Sequence, residues 1–561
     1  MGGWRAWWQW ADTRPGWLCA LRLAPLAAGL LALLMGQDDN WDLHNYHLYN
    51  AFALLHGKVG YDLAPAQWQS YFNPTLDLLY YGLALHLPGP LAGFLMGALH
   101  GLNFPLLAAL CRRLLPTGAA GQPAYRLSLL LALAGCLGPA FLSEIGNTMG
   151  DNLTALCVLG SLLLLLRQPL PLARPASALR WPLLAGLLAG VGTGLKLTNA
   201  GYALALCLAL LVQPGSALLR LRAAGVFGLA VLAGIGLSAG HWYWRMWDVF
   251  GNPLFPQFNQ LFQGPLAAPI GIGDTEWLPR HWGEKLLWPF IFTLDPKRIC
   301  ELVLRQPLWP LLYLALLAWG GALLWRRGRP LNGVPLAPPA RLLLVFFSLA
   351  YLVWLNLFSI YRYLVPLELL APLLCWLLAA RLLGARRGRL LATVCIALAA
   401  LPLYSAGGWG HARWAWRAFT VQTPVLAQPA QSMIVTVHGH PAMGWLAAFF
   451  PPQLAFAALG SGFPESPAFR ARLDAMLAAR SGPHYVMLET GSHPRETPRS
   501  AAELAQAQAR RQAVYQRAQA TLASYGLQMA VARCQDYPAR VGQNAWPYQL
   551  CPLSAAPNAG K

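Results

Sequence analysis

The sequence has 561 residues, of which 57% are hydrophobic and only 11% are charged, and its formal net charge is +20. So few charges exclude an ordinary water-soluble protein of this length, because a soluble fold of this size carries many more charged side chains on its surface. The basic residues are nearly all arginine and lie in short connections between apolar runs. This arrangement is typical of membrane topology and argues against a nucleic-acid partner.

Apolar runs recur along the chain, and several approach the roughly 20 helical residues needed to cross a bilayer. They predict a multi-pass α-helical membrane protein. The first run, residues 17–36, follows Arg5 and Arg14 and lacks a small-residue cleavage site. We therefore interpret it as a retained membrane anchor rather than a cleaved signal.

The arginine-rich connections mark the cytoplasmic side by the positive-inside rule. They predict about 11 transmembrane helices in a bacterial inner membrane, with a cytoplasmic N-terminus and an extracytoplasmic C-terminal domain. Residues 74–87 are too short for a span and contain Asp77 and His86, so we expect them to form a surface or re-entrant helix on the outer side without crossing. The outward side then includes two large loops, residues 37–73 and 241–306.

The acidic loop at residues 37–73 follows the first apolar run directly. It holds four aspartates and one lysine in an otherwise basic chain. Residues 46–55 mix aromatic and apolar side chains with polar ones, which favours an amphipathic helix on the membrane surface. Carboxylates beside a bilayer indicate a site where a polar group meets a lipid. The alternative is a solvated loop that only joins two spans.

Three side chains of this loop are candidates for chemistry. Asp42 and Tyr46 are one helical turn apart and can share a face, and Asp39 precedes Asp42 by three residues. A partly desolvated carboxylate that faces a hydroxyl or amine acceptor is suited to general-base catalysis. A second carboxylate nearby would be easier to protonate or would bind a cation. The alternative is that Asp38 or Asp39 only caps the surface helix.

Further polar residues are predicted at the outer ends of later spans. In the outward loop at residues 144–151, Asp151 is expected to converge on the Asp42 loop and to help position an acceptor together with Asn147. Asp151 is alternatively the N-cap of the next span.

Lys196 lies at the tip of an apolar hairpin, and Arg362 and Tyr363 lie at the outer end of a late span. A cation at membrane depth usually has a partner, and arginine binds phosphate through two parallel hydrogen bonds. We therefore consider Lys196 and Arg362 candidate ligands of a lipid-linked phosphate. The alternatives are a snorkelling lysine and an interfacial arginine anchor.

The chain changes character from about residue 407. Short β-branched and apolar runs predict strands, and the segments between and after them have helical spacing. Strands alternating with helices indicate a small α/β domain at 407–561, outside the membrane. The predicted strands are 432–438, 484–488 and 527–533, and the predicted helices are 469–480 and 501–524.

Two of the ten cysteines differ from the others, because Cys534 and Cys551 lie in loop-like sequence of this outward domain. A disulfide between them is predicted for an oxidising compartment. The remaining cysteines are scattered, mostly through apolar runs, where they act as small hydrophobic residues. No zinc-type spacing occurs in the sequence, so we predict no metal site.

The segment from Asp42 to Tyr46, with the run to Gly57, resembles an acidic motif that follows the first span in the GT-C superfamily of integral-membrane glycosyltransferases. That superfamily includes protein O-mannosyltransferases and the lipid A aminoarabinose transferase. Its motif is Asp-Glu-x-x-Tyr or similar, so Asp42 takes the position of the catalytic base. Leu43 replaces the glutamate of the motif, which leaves Asp39 as a candidate substitute.

The resemblance extends over residues 17–405. The proline-led segment 73–81 is similar to the surface helix of the family, Asp151 to its second acidic loop, and residues 190–198 to its Gly-x-x-x-Lys segment. It implies a GT-C-like transmembrane domain at 1–406. The implied activity is transfer of a sugar from a polyprenyl-phosphate carrier to an acceptor glycan, lipid or protein on the outer side of the membrane.

In that reaction Asp42 would be the base, and Lys196 and Arg362 would stabilise the leaving phosphate. The resemblance also allows a divalent cation, although no ligand set in the sequence demands one. Two alternatives remain, a transporter or flippase of a lipid-linked glycan and a non-catalytic GT-C-like scaffold. Against a transporter, the sequence shows no convincing internal repeat, and its acidic residues cluster on one side rather than at mid-span.

Overall fold

A computed structural model describes residues 2–116, 124–167, 179–326, 336–401, 408–437, 440–490 and 500–556. Two compact units can be separated. The helical unit comprises Met1–Leu34, Phe94–Gly240 and Asp274–Trp409. The sheet unit comprises Met35–Gly93, His241–Gly273 and Gly410–Lys561.

This division differs from the expected single boundary at residue 407. The acidic loop belongs to the sheet unit because its backbone bonds to the C-terminal strands. The Leu63 amide donates to the carbonyl of Phe456 at 2.8 Å, and the Ala458 amide donates to the carbonyl of Leu63 at 3.0 Å. The predicted surface loop is therefore part of the edge of a sheet.

The described residues are mostly α-helical. In the first part of the chain the helices are α1 (Gly2–Trp10), α2 (Arg14–Met35), α3 (Leu48–Leu55), α4 (Asp77–His86), α5 (Gly89–Gly101), α6 (Asn103–Leu114), α7 (Tyr125–Cys136), α8 (Pro139–Ser143) and α9 (Asp151–Leu165). They continue with α10 (Arg180–Leu195), α11 (Ala200–Ala209), α12 (Ala217–Phe250), α13 (Asn259–Phe262), α14 (Trp282–Leu294), α15 (Leu308–Trp325), α16 (Pro338–Leu357), α17 (Val365–Leu382), α18 (Ala385–Ala399), α19 (Pro467–Ala478) and α20 (Ala501–Ser524).

Within the described ranges, 6 helical stretches are long and apolar enough to cross a membrane. Others are apolar but shorter, among them α7 and α9. The chain is thus a multi-pass helical protein, and the larger number of spans expected from its arginines stays a prediction. The candidate spans are Arg14–Met35, Gly89–Leu114, Ala217–Phe250, Leu308–Trp325, Pro338–Leu357 and Tyr361–Leu382.

Helix α17 forms the centre of the helical unit and is buried along most of its length. Apart from Glu368 and Arg381 its residues are apolar on all sides, which is the pattern of a helix surrounded by others. Glycine allows the close packing against α7, because a Cβ at Gly135 would lie 2.4 Å from the carbonyl oxygen of Leu369.

Helix α10 packs closely on α12 through glycines spaced four residues apart. A Cβ at Gly186 would lie 2.4 Å from the carbonyl oxygen of Phe227, and one at Gly190 would lie 2.1 Å from that of Val231. Small residues at this spacing allow the backbones of neighbouring helices to touch. The glycine-rich segment at residues 190–198 therefore serves helix packing.

The C-terminal part contains a mixed sheet in the order β5-β4-β6-β11-β7, with β8 also paired to β11. Strand β4 is parallel to β5 and β6, and β11 is antiparallel to its neighbours. The strands of the chain are β1 (Gln37–Asp38), β2 (His411–Ala412), β3 (Phe419–Val421), β4 (Met433–Val437), β5 (Ala455–Leu459), β6 (His484–Glu489), β7 (Leu527–Met529), β8 (Gln535–Tyr537), β9 (Ala539–Val541), β10 (Asn544–Ala545) and β11 (Tyr548–Ala555).

The core of the sheet unit lies between these strands and the helices α19 and α20. Helix α20 contributes Val514, Ala518 and Leu522, which repeat every four residues on one face. A disulfide joins Cys534, just before β8, to Cys551 in β11. The strand predicted at 527–533 is shorter than expected, since β7 ends at Met529 and a 3₁₀ turn follows.

The structure corrects two expectations about the loops. Residues Leu43–His47 form a π-helical turn that continues into α3, and nearly all of this segment is buried in the sheet unit. It therefore does not present an open apolar face to a membrane, because its aromatic residues pack inside their own unit. The loop expected at 241–306 is also interrupted, because α12 continues to Phe250 and α14 occupies Trp282–Leu294.

Candidate functional site

Asp42 and Tyr46 come together at the start of the π-helical turn. The Tyr46 hydroxyl donates to Oδ2 of Asp42 at 3.4 Å, and both residues are buried. Asn40 begins this turn, because its Oδ1 accepts the amide of Leu43 at 2.8 Å. The cap expected from Asp38 or Asp39 is thus supplied by Asn40. Single π-helical turns inside helices are frequent at functional sites.

Asp39 has a different environment from Asp42. Its Oδ1 accepts from Nε2 of His44 at 2.7 Å and from the indole of Trp546 at 3.0 Å, and its Oδ2 accepts from the amide of Asn544 at 2.6 Å. These donors attach the acidic loop to the residues around β10. A proton taken up by Asp39 would disturb this network, so the geometry favours a positioning role over that of a base.

A second histidine–carboxylate pair lies on the same turn. Nδ1 of His47 is 2.7 Å from Oδ1 of Asp77 in α4, and both side chains are nearly inaccessible to solvent. The ring centroids of Tyr46 and His47 are 4.1 Å apart. The pair thus fixes the ring that supports the tyrosine bound to Asp42. His47 and Asp77 are 30 positions apart in the sequence, so no local sequence signal predicts this contact.

Asp62 and Lys58 form a buried ion pair, with Nζ 3.1 Å from Oδ1. The Lys58 ammonium also donates to the carbonyl of Leu454 at 2.6 Å, and Asp62 accepts the amide of Phe456 at 2.9 Å. Burial raises the pKa of Asp62 to about 6 and lowers the pKa of Lys58. This pair anchors the end of the acidic loop to the residues before β5.

The helical unit contains a separate polar group. Nζ of Lys196 lies 2.6 Å from Oδ2 of Asp151 and donates to the carbonyl of Met149 at 2.7 Å. Gly150, with φ of +84°, is the N-cap of α9, so Asp151 is the first residue of the helix rather than its cap. Asp151 is therefore a partner of Lys196 in the first turn of α9, and the Lys196 ammonium is paired rather than extended to solvent.

Arg362 and Tyr363 belong to the same group. The Arg362 guanidinium lies 5.3 Å from the ring centroid of Tyr363 and 5.7 Å from that of Trp409. Nζ of Lys196 is also 5.3 Å from the Tyr363 ring. Tyr363 is thus in contact with both cations, which is the arrangement that cation–π attraction favours.

Glu144 and Asn147 complete the polar group. Glu144 is fully buried, and its Oε2 accepts the amide of Asn152 at 3.3 Å. Oε1 of Glu144 and Nδ2 of Asn147 have no hydrogen-bond partner. Burial raises the pKa of Glu144 well above its usual range, and Asp151 raises it further, whereas the nearby cations lower it.

The predicted site residues thus form two groups. Asp39, Asp42 and Tyr46 lie in the sheet unit. The predicted residues of the helical unit, also in one group, are Asn147, Asp151, Lys196, Arg362 and Tyr363. The expected convergence of Asp151 on the Asp42 loop stays a prediction.

Sequence reasoning did not assign roles to His44, His47 or Trp409. The partners of His47 and Trp409 are distant in sequence, whereas His44 pairs with Asp39 five residues before it. Two histidines closely follow Asp42, and only this could have drawn attention to that turn. Among the described residues, no group of three or more His, Cys, Asp or Glu side chains is arranged to hold a metal ion.

Comparison with known proteins gives little further information. No family model matches the chain, and no curated protein matches it. Among solved structures, the chain is similar to the crystal structure of an Archaeoglobus fulgidus oligosaccharyltransferase tethered with an acceptor peptide containing the NVT sequon via a disulfide bond. The identity is 14%, the match covers 85% of this chain and 69% of that chain, and the TM-score is 0.41. A likeness at this level carries no argument about fold or activity.

Proposed function

We propose that the protein is a GT-C-type glycosyltransferase. It transfers a sugar from a polyprenyl-phosphate carrier to a glycolipid, glycan or protein acceptor on the extracytoplasmic side of a bacterial inner membrane. The observation that carries the proposal is the Asp42–Tyr46 pair, in which the carboxylate of the acidic motif is held by a tyrosine hydroxyl one turn away. The apolar helices of the chain supply the setting for a lipid-linked donor.

Asp42 is the general base of this reaction. Its carboxylate takes the proton of the acceptor hydroxyl or amine as that group attacks the anomeric carbon of the donor. The bond between the anomeric carbon and the carrier phosphate breaks, and the phosphate leaves with the electron pair. Tyr46 orients the carboxylate, and Asp39 positions the turn through His44 and Asn544.

Lys196 and Arg362 bind the carrier phosphate. Both are cations whose charged groups lie 5.3 Å from the centroid of the Tyr363 ring. Asp151 holds the Lys196 ammonium in place, and Nδ2 of Asn147 is a buried donor without a protein partner. Charge-assisted hydrogen bonds of this kind stabilise the negative charge that develops on a leaving phosphate.

The test is sugar transfer by the purified full-length protein, with turnover and donor affinity measured separately. The donor and the acceptor are identified first. For this, the masses of the envelope glycans and glycolipids of a strain lacking the protein are compared with those of the parent strain. Asp42→Asn preserves shape and removes the base, so we expect turnover to fall by about 10²–10⁴ with donor binding retained. Asp474→Asn, an exposed position on α19, is the matched control.

Full turnover in Asp42→Asn would contradict the proposed base. Transport of the lipid-linked sugar without formation of a new glycosidic bond would instead establish a flippase. Unchanged envelope glycans in the deletion strain, together with loss of a stable partner complex, would indicate a scaffold.

A further inference from the structure

The sheet unit contains a cavity at the carboxyl ends of its parallel strands. Its volume is about 270 Å³. Val437 ends β4, Leu488 and Glu489 end β6, and Val514 and Arg517 approach from α20. The site proposed above uses none of these residues.

The topology of the sheet favours a ligand at this position. The chain leaves β4 towards β5 on one side and leaves β6 through α20 towards β7 on the other side. Connections that depart in opposite directions from neighbouring parallel strands open a crevice between the strand ends. Ligands of open α/β sheets bind in such crevices.

The side chains around the cavity define the chemistry of a ligand. Nη2 of Arg517 lies 3.4 Å from Oε1 of Glu489, and the Arg517 side chain is 62% exposed. The pair therefore offers hydrogen-bond donors and acceptors, while the positive charge of Arg517 and the negative charge of Glu489 cancel. Val437, Leu488 and Val514 supply an apolar wall. Such a lining suits a ring with hydroxyl groups on its edge and C–H groups on its face, and it provides no excess positive charge for a phosphate.

His440 adds a polar group and connects the cavity to the acidic loop. Its Nδ1 accepts the indole N–H of Trp41 at 3.2 Å, so the neutral ring carries its proton on Nε2 and is a donor there. The two ring centroids are 5.5 Å apart. Trp41 directly precedes Asp42 in the chain. A ligand in the cavity would thus touch His440, which contacts Trp41. Trp41 is the residue next to the proposed base, Asp42.

We propose that this cavity binds one neutral sugar ring of the acceptor, which is therefore a glycan or a glycolipid. The assignment to the acceptor rests on the proposed function, whereas the binding of a neutral sugar does not. The volume lies just below the roughly 300–1,000 Å³ of ordinary small-molecule pockets, so the cavity accommodates a single ring rather than an oligosaccharide.

The experiment titrates the full-length protein with the methyl glycosides of glucose, galactose and mannose, and with glucose 1-phosphate as the charged probe. The detergent must lack a sugar head group, and saturation-transfer NMR and calorimetry report binding. We expect at least one neutral glycoside to bind to the wild-type protein. Its affinity should fall about tenfold or more in Arg517→Ala, because a charged hydrogen-bond donor is lost. Val514→Phe fills the cavity and should abolish binding. Arg510→Ala, on the same helix but not lining the cavity, should leave binding unchanged.

Absence of binding by every neutral glycoside overturns the proposal, as does equal binding by wild type, Arg517→Ala and Val514→Phe. Tighter binding of glucose 1-phosphate than of the neutral glycosides overturns the assignment to a neutral sugar. Thermal unfolding of each variant verifies that it is folded, and the exposed Arg517 position keeps the test valid if Val514→Phe unfolds. Asp42→Asn should bind the glycoside like wild type, so failure of the proposed catalysis is distinguishable from failure of this site.

Discussion

Nζ of Lys196 lies 2.6 Å from Oδ2 of Asp151, and this ion pair connects the break after α10 to the first turn of α9. A carboxylate at the start of a helix is stabilised by the helix dipole, so it can hold a cation in a fixed position. The two residues therefore act together in the proposed phosphate site.

Replacement of Lys196 tests that site. In Lys196→Ala the phosphate loses a charged donor, and we expect donor affinity to fall about 10- to 100-fold, since such a hydrogen bond contributes roughly 1.5–3 kcal/mol. If Asp151 acts mainly through Lys196, the double variant Lys196→Ala/Asp151→Ala should be no weaker than the single one, because the effects of coupled residues do not add. Lys297→Ala, at an exposed lysine, is the control for charge alone. If Lys196→Ala binds the sugar donor as tightly as the wild-type protein does, Lys196 is not part of the phosphate site.

Asp39→Asn should act mainly on stability. The NH₂ group of the new asparagine cannot accept a hydrogen bond. It would replace the oxygen that accepts either from the side-chain amide of Asn544 or from the indole of Trp546, so one of these buried donors would lose its acceptor. We expect a loss of about 1–3 kcal/mol in the free energy of unfolding, with a smaller loss of turnover than in Asp42→Asn. Asp474→Asn, at an exposed position, should have little effect. An Asp39→Asn protein as stable as wild type but without turnover would identify Asp39 as the base.

The stability of the protein should depend on pH through Asp62. Its pKa is about 6 in the folded protein, above the ordinary value of about 3.9 for an unfolded chain. Between these values the folded protein binds more protons, so the free energy of unfolding falls as pH rises from about 4 to 6, by at most about 1.4 kcal/mol per pH unit from this group. Asp62→Asn cannot titrate, and its unfolding curves over this range should lack that component. An unchanged pH dependence would contradict the assignment.

The disulfide should be present in the protein isolated without reductant. Peptide mapping under non-reducing conditions should recover Cys534 and Cys551 as one linked pair. Closing a loop of this length contributes roughly 3 kcal/mol on the chain-entropy model, so Cys534→Ser should lower the unfolding temperature. Two free thiols in unreduced cells would instead place these cysteines in a reducing compartment.

Reporter fusions test the orientation. Fusions after Lys58, Gly264 and Ser481 should report the extracytoplasmic side, and a fusion after Arg327 should report the cytoplasm, because arginine-rich connections stay inside. A cytoplasmic signal at Ser481 would show that a span was miscounted or that residues 74–87 cross the membrane.

Local elements with a clear period were predictable from the sequence. The helix at 501–524 has the predicted limits, and β4 and β6 lie within one residue of the predicted strand limits. Strand β5 was not predicted because its sequence, Ala-Phe-Ala-Ala-Leu, lacks β-branched residues. Its strand form depends on parallel pairing with β4, which no local pattern encodes.

The candidate site was predictable to a similar extent. The pairing of Asp42 with Tyr46 follows from helical spacing, since the two residues are four apart. The partners of Asp39 could not be inferred, because Asn544 and Trp546 are 505 and 507 residues away. The burial of the acidic loop has the same cause, since the residues that cover it come from the far end of the sequence.

The glycines of α10 have a consequence for how mutations act on this protein. Contact between the backbones of α10 and α12 leaves no space for even a methyl group at Gly190, so the axial position of α10 is fixed there. Lys196 follows the last residue of this helix. We therefore expect the mutational sensitivity of the proposed phosphate site to extend into the apolar part of α10, whose residues after Arg180 bear no charge. Alanine at Gly190 would place its methyl carbon 2.1 Å from the carbonyl oxygen of Val231, so we expect it to displace α10 and, with it, the lysine.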